Sequence, residues 1–278
     1  MSTKWLRHFL KGNIRNIHTN IKNTSKNEMP TASILVIGDE ILKGDVPDTN
    51  SSFLAKELHR LGLKLKKISV IADDVTEITE EVKIFSNQYD YVITTGGIGP
   101  THDDVTYEGV ALAFDVPLYL HPELKAICTK FYCTKDPKDA GMKLAFIPQS
   151  SKLNFQTVSG GRLSYPNVSI ENVYMFPGIP ELLKKTFLEV GPLLFRSPKR
   201  FYSKHFFCKL PEHEIVAELQ KVVDEFPDVQ FGSYPKMYHN IYKVKVTIES
   251  CCEETTLQAY SRLMELMPTS AVVNIDDI

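Results

Sequence analysis

The chain has 278 residues, of which 43% are hydrophobic and 24% charged, with a formal net charge of -2 at pH 7. Such a composition is typical of a globular protein large enough for one large domain, or for a medium and a small one. A nearly neutral chain has no overall field for nucleic acid, and no apolar stretch approaches the roughly 20 residues of a membrane span. The 5 cysteines lack CxxC spacing, so we expect reduced thiols and no zinc site. Nucleic acid and membrane are therefore not among the expected partners.

Residues 1–30 differ from the rest of the chain. Basic residues precede the first acid, Glu28, and apolar side chains are interleaved with them. This pattern is typical of a mitochondrial transit peptide, although an untargeted disordered tail of a cytoplasmic protein has a similar composition. We predict a mitochondrial location, with the tail as the alternative, and exclude residues 1–30 from the fold.

Strand and helix patterns alternate between residues 31 and 197. Runs of branched apolar residues predict strands at 32–37, at 64–71 and from Tyr91, and helical spacing predicts a helix after each of them. This order is typical of a three-layer α/β domain built on a parallel sheet with a mixed edge. Further elements are predicted as a helix at 121–133, a strand at 144–148, a hairpin or irregular insert at 156–166, a strand at 172–176 and a helix from Leu182.

The pattern changes after residue 197. Strands, helices and turns follow in the order β-α-β-β-α-β, which is typical of a small ferredoxin-like α+β domain, here residues 198–278. The predicted elements are a strand at 204–210, a helix at 211–226, strands at 229–234 and 241–248, a helix at 253–267 and a strand at 271–275.

The strand that begins at Tyr91 ends in a glycine-rich loop. Gly96, Gly97, Gly99 and Pro100 are followed by two carboxylates and then by a helical pattern. Glycine lets the backbone approach a ligand closely, and the N–H groups at a helix start favour an anion. The loop therefore predicts a phosphate site, although a glycine turn followed by an aspartate cap has the same local sequence.

Other loops follow the carboxyl ends of neighbouring predicted strands, where ligands bind in parallel sheets. Pro177 and Gly178 form a second glycine turn that we expect to face the first, and Lys143 is a further cation that could reach a phosphate. The residues predicted to bind phosphate or nucleotide are Gly38, Asp39, Glu40, Thr95, Gly96, Gly97, Gly99, Pro100, Thr101, Lys143, Pro177 and Gly178.

The acids of these loops suit a divalent cation held against a pyrophosphate. Asp73, Asp103 and Asp104 are the predicted metal ligands, and their shared location favours Asp73 and Asp104 for catalysis. A P-loop, a GxGxxG fingerprint and a GxSxG motif are absent from the sequence, so it supports neither a P-loop ATPase nor a serine hydrolase.

The string TTGGIGPTHDDVT, with GDEILKGDVPDTN before it and MFPGIPELL after it, resembles the molybdopterin-binding domain family. It is most similar to the amino-terminal domain of eukaryotic FAD synthase, and the bacterial competence-damage-inducible proteins share the GPTxDD form. The bacterial branch is associated with metal-dependent cleavage of ADP-ribose or FAD. In molybdopterin adenylyltransferases two aspartates serve the metal and catalysis, and these match Asp73 and Asp104.

The resemblance implies a pyrophosphatase that uses Mg²⁺, Mn²⁺ or Co²⁺ to split FAD, ADP-ribose or a related dinucleotide, with no organic cofactor beyond its substrate. The sequence ends at Ile278 without the PAPS-reductase-type domain of FAD synthases, so we do not expect FAD synthesis. The alternatives are a module that senses a flavin or pterin nucleotide without turnover, and molybdopterin adenylyl transfer. We also expect a homo-oligomer.

Overall fold

The computed structural model describes residues 28–134 and 136–273, so residues 1–27 of the predicted leader lie outside the described residues. The described strands form a 6-stranded, a 3-stranded and a 2-stranded sheet. In chain order they are β1 (Thr31–Ile37), β2 (Lys64–Ile71), β3 (Tyr91–Thr95), β4 (Leu118–Leu120), β5 (Phe146–Pro148), β6 (Lys152–Gln156), β7 (Arg162–Ile170), β8 (Val173–Phe176), β9 (Tyr202–Cys208), β10 (Gln230–Pro235) and β11 (Val244–Ser250).

Helices connect these strands, and in the described residues no helix is long and apolar enough to cross a membrane. In chain order they are α1 (Asp39–Leu42), α2 (Asn50–Arg60), α3 (Val75–Gln88), α4 (Thr106–Ala113), α5 (Pro122–Tyr132), α6 (Pro180–Leu194), α7 (Glu212–Glu225) and α8 (Glu253–Leu266).

The large sheet has the order β2-β1-β3-β8-β7-β6. Its first four strands are parallel, β7 runs antiparallel to β8, and the edge strand β6 runs antiparallel to β7. One face packs on α3, α4 and α5 through a core that includes Phe85, Val110 and Leu124. The other face packs on α2 and α6 through Leu58 and Phe187. Strands buried on both faces need continuous apolar runs, which is why the sequence of β1 has that pattern. The predicted three-layer α/β fold with a mixed edge is confirmed.

The parallel strands bring their carboxyl ends to one edge of the sheet. Gly38 follows β1, and its N–H donates to the carbonyl of Ile71 at the end of β2 (3.1 Å). The N–H of Gly96, which follows β3, donates in the same way to Phe176 at the end of β8 (3.2 Å). These bonds hold the loops that carry the predicted site residues side by side.

The middle of the domain differs in part from its prediction. The predicted hairpin is present as β6 and β7, but the strand predicted at 144–148 begins only at Phe146. Residues Ala140–Ala145 form a 3-10 turn instead, which Asp139 caps by accepting a bond from the N–H of Gly141 (2.9 Å). The turn packs closely on α5, since a Cβ on Gly141 would lie 2.4 Å from the ring of Tyr132.

The second sheet has the antiparallel order β10-β11-β9, with α7 and α8 packed on it through Ile215 and Leu263. The strand predicted from Ala271 is only partly present: Ala271 closes a 3-10 turn, and Val272 forms an isolated antiparallel bridge to Cys208. Residues 274–278 of that prediction lie outside the described residues. The described part is a smaller β-rich unit with the strand order of the predicted α+β domain.

Candidate functional site

A cavity of about 1220 Å³ lies at the carboxyl edge of the large sheet. It is bounded by the loops after β1, β2, β3 and β8, and also by residues of α2, α5, α6 and β7. Three predicted site residues, Asp39, Thr101 and Lys143, are not part of its wall. The predicted residues that line it are Gly38, Glu40, Asp73, Thr95, Gly96, Gly97, Gly99, Pro100, Asp103, Asp104, Pro177 and Gly178.

The glycine loop is held tightly against the protein. Gly96 and Gly97 have φ values of 105° and 63°, which side chains rarely adopt. A Cβ on Gly96 would lie 2.0 Å from the carbonyl oxygen of Ile37, and one on Gly97 would lie 2.3 Å from Oγ1 of Thr106. Thr106 in turn donates its hydroxyl to the Gly96 carbonyl (2.9 Å) and its N–H to the Gly97 carbonyl (2.9 Å). The glycines therefore serve the packing of the loop as well as the approach of a ligand.

The backbone N–H groups of Gly97, Ile98 and Gly99 have no hydrogen-bond partner within residues 28–134 and 136–273. All three residues line the cavity. Successive unpaired N–H groups in a loop are a recurring anion-binding arrangement, because each carries partial positive charge that the protein itself leaves uncompensated.

Asp104 closes the loop but does not cap the helix. Its Oδ2 accepts a hydrogen bond from the N–H of Thr101 (2.8 Å) and another from the Thr101 hydroxyl. The residue at the cap position of α4 is Val105, which makes no side-chain cap bond. A Cβ on Gly99 would lie 2.6 Å from Oδ2 of Asp104, so Gly99 is required for the carboxylate to sit there. The simple aspartate-cap interpretation of this loop is therefore wrong.

Two adjacent aspartates after β2 have different roles. Asp74 caps α3 by accepting the N–H of Glu77 (2.9 Å), while Asp73 lines the cavity and accepts the N–H of Asp39 (2.9 Å). Burial raises the pKa of Asp73 from 3.8, and the negative charges of its neighbours, first among them Glu40, raise it further. Asp73 is therefore a partly buried carboxylate among other acids, an arrangement that a bound cation would stabilise.

The remaining predicted residues lie around the loop. Asp39 pairs with Lys43 (2.9 Å), which lowers the pKa of its carboxyl group. Asp103 lines the cavity. Lys143 donates its ammonium group to the Thr101 carbonyl (2.7 Å), so this lysine braces the loop from outside the cavity wall.

Asn50 is a site residue that sequence reasoning missed. Its Nδ2 donates to the Gly178 carbonyl (2.7 Å) and to Oγ1 of Thr95 (3.1 Å), whose hydroxyl donates to Pro177 (3.0 Å). A Cβ on Gly178 would lie 3.2 Å from Cα of Gly96, so the two glycine loops touch. Asparagine at a helix start is typical of a solvent-exposed cap, and only the fold shows that this one is buried and joins the two loops.

Comparison with known proteins agrees with this geometry. Residues 33–196 match the family described as probable molybdopterin binding domain, and residues 200–276 match the FAD synthase middle domain. The first match covers more than half of the chain, so the protein belongs to the molybdopterin-binding domain family.

Within this family the chain is related to FAD synthases. It is 40% identical over 258 residues to a probable FAD synthase of Caenorhabditis elegans, covering 85% of this chain and 50% of that protein. A protein of Archaeoglobus fulgidus is 39% identical over 205 residues, covering 73% of this chain and 85% of that protein. The crystal structure of CinA from Thermoplasma acidophilum, of unknown function, is similar with a TM-score of 0.52 and 29% identity, covering 57% of this chain and 94% of that one. The chain spans about half the length of the worm FAD synthases.

Proposed function

We propose that this protein is a divalent-metal-dependent pyrophosphatase that splits FAD, ADP-ribose or a related ADP-containing dinucleotide into two mononucleotides. The observation that carries the proposal is the joint presence, in one cavity, of the unpaired N–H groups of the glycine loop and of two carboxylates, Asp73 and Asp104. A diphosphate needs donors for its oxygens and a cation for its charge, and these two sets of groups suit both needs.

The glycine loop binds and orients the diphosphate in this proposal. The N–H groups of Gly97, Ile98 and Gly99 would donate to non-bridging phosphate oxygens, and the second loop at Gly178 would close the other side. Asn50 keeps that second loop in place through its bond to the Gly178 carbonyl. Negative charge that builds on the phosphate oxygens during the reaction would meet donors that are already in position, which is how such sites lower a barrier.

The donor set fits a cation that the substrate helps to hold. Within the described residues no group of three or more His, Cys, Asp and Glu side chains is arranged to bind a metal. Mg²⁺ commonly uses only one or two carboxylates, with substrate phosphates and water as its other ligands. Asp73 and Asp104 each have one carboxylate oxygen bonded to the protein backbone and an Oδ1 with no hydrogen-bond partner among the described residues. A cation bound there would polarise the diphosphate and a water molecule.

The overall step conserves atoms. Water adds to one phosphorus, the bond from that phosphorus to the bridging oxygen breaks, and the two protons of the water end on the products or in solvent. Backbone N–H groups and the two aspartates position the diphosphate for attack.

Incubation of the purified chain with FAD, ADP-ribose or NADH tests the proposal, with Mg²⁺, Mn²⁺, Co²⁺ or EDTA present and mononucleotide release as the readout. We expect Asp73→Asn and Asp104→Asn each to lower metal-dependent release by about 100-fold or more, since even outer-shell partners of a metal contribute 10- to 100-fold. The matched control is Asp74→Asn, which lies beside Asp73 but caps α3, and asparagine caps a helix equally well. Release that is equal in all four proteins would refute the assignment of the two aspartates.

A second function is favoured by the arrangement of the carboxylates in the cavity wall, which are Glu40, Asp48, Asp73, Asp103 and Asp104. Among the described residues no three or more of the His, Cys, Asp and Glu side chains are grouped to hold a metal, so the cavity also suits a module that binds the nucleotide and does not cleave it. Wild-type protein that binds FAD or ADP-ribose in calorimetry, yet releases no mononucleotide with any of the three metals, would decide for the sensing module.

A further inference from the structure

Two adjacent aromatic side chains, here called the aromatic rim, line the cavity at the end of α5. Phe131 and Tyr132 lie at the carboxyl end of α5, and both line the cavity. Phe131 is 77% exposed, and its ring meets that of Tyr132 edge to face with centroids 4.9 Å apart. A phenylalanine on a helix surface gains nothing from water, so an exposed ring at the mouth of a cavity indicates a surface that a ligand covers.

The cavity is also lined by aliphatic side chains. Leu163 and Leu182 line it, and Leu182 is 50% exposed. Burial raises the pKa of the Cys128 thiol, which therefore stays neutral in the wall. Lys130 and Lys185 are the two lysines that line the cavity within the described residues, and the described lining contains no arginine. The wall therefore suits a flat apolar group on an anionic ligand.

The size of the cavity supports the same view. Small-molecule sites commonly measure about 300–1000 Å³, and a diphosphate alone would fill only a fraction of the 1220 Å³ here. The glycine loop and the aromatic rim line the same cavity. A ligand that contacts both would combine a phosphate group with a planar apolar group.

We propose that Phe131 is a stacking platform for the heteroaromatic ring of the nucleotide, with Tyr132, Leu163 and Leu182 as the surrounding wall. This inference rests on the proposed function, because it takes the phosphates to lie on the glycine loop. It adds that the site selects ligands by their ring as well as by their phosphates. Stacking of a base on an aromatic side chain accepts many rings, so adenine, flavin and pterin rings are all suitable.

Binding of matched ligands with and without a ring tests the proposal. We would measure affinities for ADP and inorganic pyrophosphate, and for FMN and ribose 5-phosphate, by calorimetry with Mg²⁺. Wild-type protein should bind ADP and FMN more tightly than their ringless partners. Phe131→Ala should weaken ADP and FMN by about 5- to 100-fold, the range expected for a lost stacking contact, and leave pyrophosphate unchanged.

Two further variants separate stacking from a structural effect. Phe131→Tyr keeps the ring and should bind as the wild type does. Leu112→Ala removes an exposed apolar side chain (56%) from α4, outside the cavity wall. This change should leave the affinities for ADP and for pyrophosphate unchanged. Phe131→Trp places an indole on the platform, and the fluorescence of this indole should be quenched by FMN and not by ribose 5-phosphate. The wild-type protein, which contains 1 tryptophan, gives the background signal.

The outcomes distinguish this inference from the proposed function. Pyrophosphate that binds as tightly as ADP, or an equal loss of both in Phe131→Ala, would overturn the stacking platform and leave the phosphate site standing. Failure of wild-type protein to bind any of the four ligands would overturn both. If Phe131→Ala had a different oligomeric mass from wild type in solution but the same ADP affinity, the aromatic rim would be a contact between copies of the chain. That result would also overturn the inference.

Discussion

Replacement of Asn50 by alanine should loosen the contact between the two glycine loops. The change removes the bonds from Nδ2 to the Gly178 carbonyl (2.7 Å) and to Oγ1 of Thr95 (3.1 Å). Two neutral hydrogen bonds contribute about 2 kcal/mol together. The Oδ1 of Asn50 is buried without a partner among the described residues, and its removal offsets about 1 kcal/mol of that loss. The free energy of unfolding should therefore fall by about 1 kcal/mol.

This value corresponds to a Tm lower by about 2–4 °C for a protein of this size. Because the second loop loses its tether, we also expect the affinity for ADP to fall by about tenfold, as for a loss of about 1.4 kcal/mol of preorganisation. Calorimetry on the same samples measures both quantities. The matched control is Ser52→Ala, since Ser52 is exposed in the same helical turn and makes no side-chain bond within the described residues.

An Asn50→Ala protein with the Tm and ADP affinity of the wild type would refute the tether. Asn50→Asp gives a second check, because it places a carboxylate oxygen against the Gly178 carbonyl and should destabilise the protein more than alanine does. If aspartate were tolerated better than alanine, the bond to Gly178 would not hold the loop.

Three more outcomes are expected. Gly96→Ala should lower the free energy of unfolding, measured in denaturant, by about 2–4 kcal/mol, because alanine there has a strained φ and clashes with the Ile37 carbonyl. The control is Gly44→Ala, where φ is 76° and no atom lies within 4 Å of the new Cβ, and its free energy of unfolding should fall by only about 1 kcal/mol. Folding raises the pKa of Asp73 above 3.8, so the stability that its protonated carboxyl contributes is fully present below that pH and is lost as pH rises through the raised pKa. In EDTA, the Tm of Asp73→Asn minus that of wild type should therefore increase from pH 3.5 to pH 7. A constant difference would contradict this. A fluorescent protein fused to residues 1–30 should enter mitochondria, and a diffuse cytosolic signal would favour the untargeted tail.

The sequence by itself determined the architecture of the large domain. Continuous apolar runs such as 32–37 are buried on both faces of the sheet, so they identify parallel strands without knowledge of their neighbours. Since parallel strands share one carboxyl edge, the positions of Gly38, Asp73 and Gly96 in the chain were enough to bring their loops together. The family resemblance rested on the same loops.

Only the tertiary structure decided which residues of those loops face the cavity. Asp73 and Asp74 are chemically identical neighbours, and the direction of the backbone after β2 sends one to the cavity and the other to the cap of α3. Asn50 and Phe131 lie far apart in the sequence, on two different helices. Asn50 ends the string GDEILKGDVPDTN that carries the resemblance, but the local pattern of neither residue assigns it a role in the site. They line one cavity because α2 and α5 pack on opposite faces of the sheet and both reach its carboxyl edge. The packing of the whole domain creates this relation, and no short stretch of sequence contains it.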